Sequence, residues 1–414
     1  MRLLFLLLLL PLTTLAQTSV RDTLLTVRTR TNLTSLYYGQ GTDRLGGAKR
    51  ETLDSGVVLR ITGVADNLYR VRLAPNQTGF VPMEQVRADS VPKLQPDSLL
   101  NTLPAALPRP ALLTGNWTVY GDSLFDYIAI RLPERLPYQS ATELAPNRLT
   151  LDIFGATINT NWITQLRTLQ TVERVWFEQV GDEHIRVFIA LKTPRHGPTH
   201  WGFSLYYQRT TLMIRLRRPP AGRSLRGMVI AVDAGHGGSN TGGKGIQTGQ
   251  LEKDLALDVA RRLQTYLTKA GARVVMVRET DTTLGPTDRI RAMRKLLPNL
   301  LVSIHFNSSA VQPLRRAGSG GAGARGLSTY YKHLGFRPWS QAVLTELLAK
   351  LPLPEFGNVG NFNFFFNSPT DYPNLLVEGP FLSNPADEAL ATDPNFRQKM
   401  AKAIWKGLKR VRRH

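Results

Sequence analysis

From Met228 to the end of the chain, short apolar runs alternate with segments whose apolar residues recur at helical spacing. This alternation limits the fold more than any other feature. "MVIAVDAG", "ARVVMVRET", "NLLVSIHFN", "GLSTYY", "FNFFFN" and "NLLVEGPFL" read as strands. "LEKDLALDVARRLQTYLTKAG", "TDRIRAMRKLL", "SQAVLTELLAKL" and "PNFRQKMAKAIWKGLKRV" read as helices. Gly271 is placed to stop the first helix and Thr287 to cap the second. Strands that alternate with helices bury their apolar surfaces as a sheet covered on both faces, so an α/β domain is expected over residues 227–412.

The preceding chain has a different texture. With 414 residues in all, two or three domains are expected. Residues 20–95 carry short alternating stretches, "GVVLRITGV", "LYRVRLA" and "TGFVPMEQV", separated by Gly, Asn and Asp turns, the pattern of a small β-barrel. "VPKLQPDSLLNTLPAALPRP" holds five prolines without a period and marks a linker over residues 96–111. Residues 112–219 again read as strands, among them "GNWTVYG", "DYIAIRLP", "NRLTLDIFGA", "VERVWFEQV", "HIRVFIALK" and "TLMIRLRRP". "RRPPAGRSLRG" is a basic linker into the α/β part. Two small all-β domains are thus expected ahead of it.

The N-terminus, "MRLLFLLLLLPLTTLAQ", has Arg2, a leucine-rich run from Leu3 to Leu10, Pro11, and small or polar residues up to Ala16. That is a secretory signal over residues 1–16, too short in its apolar part to span a bilayer. No later segment is long and apolar enough for a membrane helix, so the mature chain is expected to be exported and free of an integral span. The absence of cysteine excludes disulfides, thiolate metal sites and lipid attachment through a leader cysteine. A formal net charge of +21 predicts attraction to a polyanion. Export and the lack of an aromatic-basic recognition motif argue against nucleic acid.

Four stretches carry the candidate chemistry. In "VIAVDAGHGGSN" a buried strand runs into a glycine-rich turn, which puts His236 at a strand end, where α/β folds place their sites. In "GQLEKDLALD", Glu252 opens a helix; alone, it could simply complement the helix dipole. In "LLVSIHFNSS", His305 ends a strand apolar on both faces, hence central. In "NLLVEGPFLSNP", Glu378 follows a buried run, where a carboxylate is costly unless paired, hydrogen-bonded or near a cation. Taken together, two imidazoles and one carboxylate match a catalytic zinc site with its fourth position kept for water. A second carboxylate outside the ligand set can take a proton from that water. No HExxH is present, so a helix-borne site of the thermolysin type is excluded.

These stretches, with "VVMVRETD" and "RIRAMRK", run in the order of a known family. Residues 227–412 resemble the zinc-dependent N-acetylmuramoyl-L-alanine amidase catalytic domain of bacterial cell-separation amidases and sporulation lysins. The resemblance implies a mixed, mainly parallel sheet, Zn2+ held by His236, Glu252 and His305, and Glu378 as the catalytic general base. It implies hydrolysis of the amide between the lactyl group of N-acetylmuramic acid and L-alanine in peptidoglycan. The family usually has Pro where Ala234 stands, and commonly a Leu-Gly type pair in place of Gly379 and Pro380. Pro380 lacks a backbone donor beside the proposed base, so substrate contacts are expected to differ there. "LYRVRLAPNQTGFVP" resembles the hairpin of bacterial SH3 domains, and "RLTLDIFGA", "RVWFEQ" and "RVFIAL" resemble the AMIN β-domain of exported amidases.

Regulated relatives insert an inhibitory helix after the second histidine strand. "SSAVQPLRRAGSGGAGARG" is short, glycine-rich and basic, so no such plug is expected, and control is assigned to the N-terminal domains or to localisation. His333, in "YYKHLG", is a further candidate left outside the ligand set. Two other readings share parts of this pattern. One is an inactive wall-binding protein, which would have lost Glu378 or a ligand. The other is a zinc peptidase acting within the stem peptide, which only product analysis separates. The expected location is periplasmic. The expected partners are peptidoglycan, the anionic sacculus or outer-membrane surface, and a protein activator or divisome component.

Overall fold

The computed structural model describes residues 25–39, 49–88, 111–309, 323–362 and 364–413. The expected signal at 1–16 and nearly all of the expected proline-rich linker lie outside them, as does most of the glycine-rich segment after His305.

The α/β part is one six-stranded sheet. Its spatial order, by first residue, is Arg273, Val229, Leu300, Asn374, Leu327 and Glu355. The first four strands, Arg273–Met276, Val229–Ala234, Leu300–Phe306 and Asn374–Gly379, are parallel. Leu327–Tyr330 joins antiparallel to Asn374–Gly379, and Glu355–Val359 runs parallel to Leu327–Tyr330. The sheet is therefore mixed and mainly parallel. The two central strands are buried almost throughout, as expected for strands covered on both faces.

Helices Glu252–Lys269, Arg337–Lys350 and Pro394–Arg413 pack their apolar faces on one another and on the sheet around Leu263, Val302, Trp339, Leu347 and Ile404. Helix Pro286–Leu296 covers the other face with Met293 and Ile290 buried. Two local expectations differ from the structure, and one helix was not expected. Thr287 does not cap that helix: Gly285 occupies the cap and Pro286 the first turn, a place that suits its missing N–H. "FNFFFN" forms no strand; the edge position goes to Glu355–Val359, and residues around Phe365 make a turn across the sheet face. A short helix, Pro385–Thr392, capped by the Asn384 side chain, precedes the last helix.

Ahead of this lie three sheets, of seven, four and five strands, antiparallel except where Ile163–Gln165 joins Trp117–Gly121. Strands Tyr138–Leu144 and Phe203–Gln208, unread in the sequence, complete two of them. Buried side chains from Val27 to Leu216 form one continuous apolar cluster, so the sheets share a core. They are tied to the α/β part by Arg217, which donates to the carbonyls of Leu297 and Pro298 at 2.6 and 3.0 Å.

Candidate metal centre

Parallel strands end together, and the four candidate residues come together at that end. His236 follows strand Val229–Ala234 and has φ = 60°, a conformation few residues other than glycine adopt. Two buried arginines hold this turn. Arg278 donates to the carbonyls of Ala234 and Gly235, each at 2.9 Å. Arg289 donates to the carbonyls of Ala234, at 3.1 Å, and His236, and pairs with buried Asp233 at 2.7 Å. Ser303 donates to the other Asp233 oxygen at 2.7 Å. Gly235 is required for space: a Cβ there would lie 2.4 Å from the His305 ring.

Glu252 is the first residue of its helix and is buried. One carboxylate oxygen lies 3.0 Å from His236 Nε2 and 2.9 Å from His305 Nδ1, and the two ring nitrogens are 3.2 Å apart. The other oxygen accepts from the Gly243 N–H at 2.7 Å, which fixes the carboxylate plane. Burial pushes the Glu252 carboxyl up, but the two histidines outweigh it and hold the group well below the usual carboxylate range. His236 shows the reciprocal effect: burial lowers its pKa and Glu252 raises it further than that. On its far side His236 Nδ1 is 2.9 Å from Asn240 Oδ1. A proton shared there leaves Nε2 free to present its lone pair to the cluster.

Glu378 pairs with His305 in strand register. It is 8% exposed, and its Oε2 accepts no hydrogen bond. Burial, reinforced by the charge of Glu252, pushes its pKa well above the usual carboxylate value. The ion pair with a nearby arginine that would give it a purely structural role is not what satisfies this oxygen. Tyr330, on the neighbouring strand, has its hydroxyl pKa raised by burial and by the Glu378 charge. The sequence contained a signal for its strand, "GLSTYY", but not for the register that sets Ser328 opposite Glu378 and Tyr330 opposite Leu376.

An apolar cavity of about 200 Å³ opens onto His236 and His305, with Phe364, Phe365, Phe366 and Leu284 in its wall. A second cavity, of about 250 Å³, lies between the β region and the α/β domain and contains none of the four candidates. His333 is not part of the centre. It is half-buried at this seam with Nε2 2.9 Å from the Ser368 carbonyl.

The N-acetylmuramoyl-L-alanine amidase family model matches residues 230–410. The germination-specific N-acetylmuramoyl-L-alanine amidase of Bacillus subtilis is 31% identical over 201 residues, which cover 45% of this chain and 80% of that protein. This chain belongs to the N-acetylmuramoyl-L-alanine amidase family. The amidase AmiC of Neisseria meningitidis is 30% identical over 229 residues, 47% of this chain and 55% of its own. Among solved structures, the catalytic domain of the amidase CwlV from Bacillus (Paenibacillus) polymyxa is 28% identical, covers 44% of this chain and 97% of its own, and gives a TM-score of 0.40. The chain is an N-acetylmuramoyl-L-alanine amidase, and His236, Glu252 and His305 form the one cluster of metal-binding geometry among its described residues.

Proposed function

We propose that this amidase is an exported, zinc-dependent peptidoglycan hydrolase in which His236, Glu252 and His305 hold the ion and Glu378 is the general base. The observation that carries the reading is the convergence of three donor atoms beside a buried carboxylate with an unpartnered oxygen. The donor set fits zinc. Separations of 2.9 to 3.2 Å are close to the ~3.3 Å expected between neighbours around a tetrahedral ion with bonds of about 2.0–2.1 Å. Zinc bound there supplies Lewis acidity that makes water nucleophilic near neutral pH and polarises the scissile carbonyl.

The chain's own residues do the rest. Asn240 fixes the tautomer of His236, and Gly243 fixes the orientation of Glu252. Glu378, its proton affinity raised by burial, takes a proton from the attacking water and passes it to the leaving nitrogen. The lactyl carbon gains the water oxygen as its bond to the alanine nitrogen breaks, yielding a carboxylate and a free amine. Phe364 to Phe366 keep one side of the cleft dry. The β region acts as SH3-like (20–95) and AMIN-like (112–219) units that bring the catalytic domain, 227–412, to the wall and offer a surface to a protein activator or divisome component.

Digestion of purified sacculi with product analysis by mass spectrometry tests the reading. Stem peptides beginning with L-alanine and peptide-free glycan are expected. Chelation should abolish both products and added Zn2+ should restore them. Shortened stems still on glycan would identify a peptidase instead.

A further inference from the structure

The end of the sheet opposite the metal centre is built from exposed cations contributed by separate elements. Gly227 donates to the Gly271 carbonyl at 2.9 Å and Arg273 to that of Met228 at 2.9 Å, which gathers Arg226, Lys269 and Arg273 at the start of the parallel strands. Buried Arg412 donates to the carbonyls of Pro220, at 3.0 Å, and Gly222, and so brings the linker that bears Arg223 against the end of the last helix, next to Arg413. Gly197 packs on Arg412 and on the Val411 carbonyl, which adds Arg195. All six of these side chains are exposed. The cations continue up the last helix, where Lys409 lies 5.0 Å over the Trp405 ring, and the groove there contains one carboxylate, Glu346.

Helix dipoles explain Lys269 and Arg413, which sit in last turns. They do not explain Arg195, Arg223, Arg226 or Arg273, which lie on loops, a linker and a strand start. We propose that this face docks on an anionic lipid bilayer. The choice of a lipid surface over the wall polymer rests on the amidase reading of the opposite end. Strands of up to seven residues put roughly 20 Å between the face and the catalytic mouth. Peptidoglycan being cut must enter at the mouth, so a polyanion held here lies on the other side of the enzyme. A flat anionic leaflet at this face turns the mouth toward the wall. No described helix is long and apolar enough to cross a membrane, so the attraction is electrostatic and reversible.

The test is flotation of the mature chain with vesicles of phosphatidylglycerol in phosphatidylcholine, with pure phosphatidylcholine vesicles and with duplex DNA in parallel. Binding only to the phosphatidylglycerol vesicles, released by high salt, is expected. Changing Arg195, Arg223, Arg226 and Arg413 together to Gln should cut partitioning at least ~30-fold. Changing four exposed cations of the β region outside this cluster, Arg87, Arg131, Arg174 and Arg209, to Gln should cut it less than ~5-fold. Equal losses in the two variants, no vesicle binding, or tighter binding to DNA would each overturn the proposal. The Gln variant should still digest sacculi. If it does not, the double change Arg223→Gln and Arg226→Gln, confined to exposed linker side chains, should lower partitioning about fivefold with digestion intact. Vesicle binding by a wild-type chain that leaves sacculi uncut would break the amidase reading and not this one.

Discussion

Two clusters of buried and half-buried ionisable groups, one at the strand ends and one at the seam with the β region, differ in how completely they are satisfied. At the seam, Glu51 accepts from the Ser140 N–H and hydroxyl at 2.8 and 2.6 Å and from the Thr52 N–H at 2.9 Å. Arg294 donates to Asp371 at 3.0 Å and to the Asn32 carbonyl at 2.9 Å, and Ser204 donates to the other Asp371 oxygen at 2.7 Å. Lys49 reaches Ser368 at 3.0 Å, and burial lowers its pKa to about 8. At the strand ends, three donor atoms point at one another and Glu378 keeps an oxygen without a partner. Buried charge must be compensated. Where the compensation comes from the protein itself, the cluster is structural. Where it is left to an ion, a water or a substrate, the cluster is chemical.

That contrast makes opposite demands on substitutions. Glu378→Gln should lower amide hydrolysis by about 10²–10⁴-fold. It should leave the melting temperature unchanged or raised, because the exchange removes a poorly satisfied buried carboxyl. A parallel loss of stability and activity, measured by calorimetry and sacculus digestion, would erase the distinction between the clusters. At the seam the order reverses. Asp371→Ala strands Arg294, both side chains being less than a third exposed, and should cost roughly 3 kcal/mol in denaturant unfolding. Zinc content per folded molecule should stay the same.

The third test uses pH. Burial lowers the His333 pKa to about 4, against an ordinary 6.5, and Lys332 and Lys49 add to the effect while the Ser368 carbonyl opposes it. The unfolded chain therefore takes up this proton first. The stability is complete above pH 6.5 and declines as pH falls from there toward 4, by on the order of 3 kcal/mol. His333→Gln should flatten that part of the acid limb in equilibrium unfolding; an unchanged limb would assign it to other groups.

Much of the catalytic region was legible because its signals are local. The apolar run of Val229 to Val232, the glycines around His236 and the helical spacing after Glu252 each announce an element and its end. The convergence of His236, Glu252 and His305 followed because strand ends in a parallel sheet share a side. Less legible were contributions that depend on partners far along the chain. Asp233 and Arg289 pair across 56 positions to support the histidine turn, and nothing in "DRIRAMRK" marks which arginine turns inward. "FNFFFN" has strand composition, yet its residues cover a sheet face because Glu355–Val359 takes the edge. Thr287 looked like a cap only while Pro286 was read as lying outside the helix.

By itself, then, the sequence determined which residues could carry the chemistry and where most of the catalytic domain's strands and helices would form, since periodicity and turn residues act within a few positions. Only the tertiary structure decided which polar groups are satisfied and which are left open. The same residue types build the seam and the candidate metal centre. What separates Glu51 from Glu378 is whether a distant segment of the chain arrives with a hydrogen-bond donor.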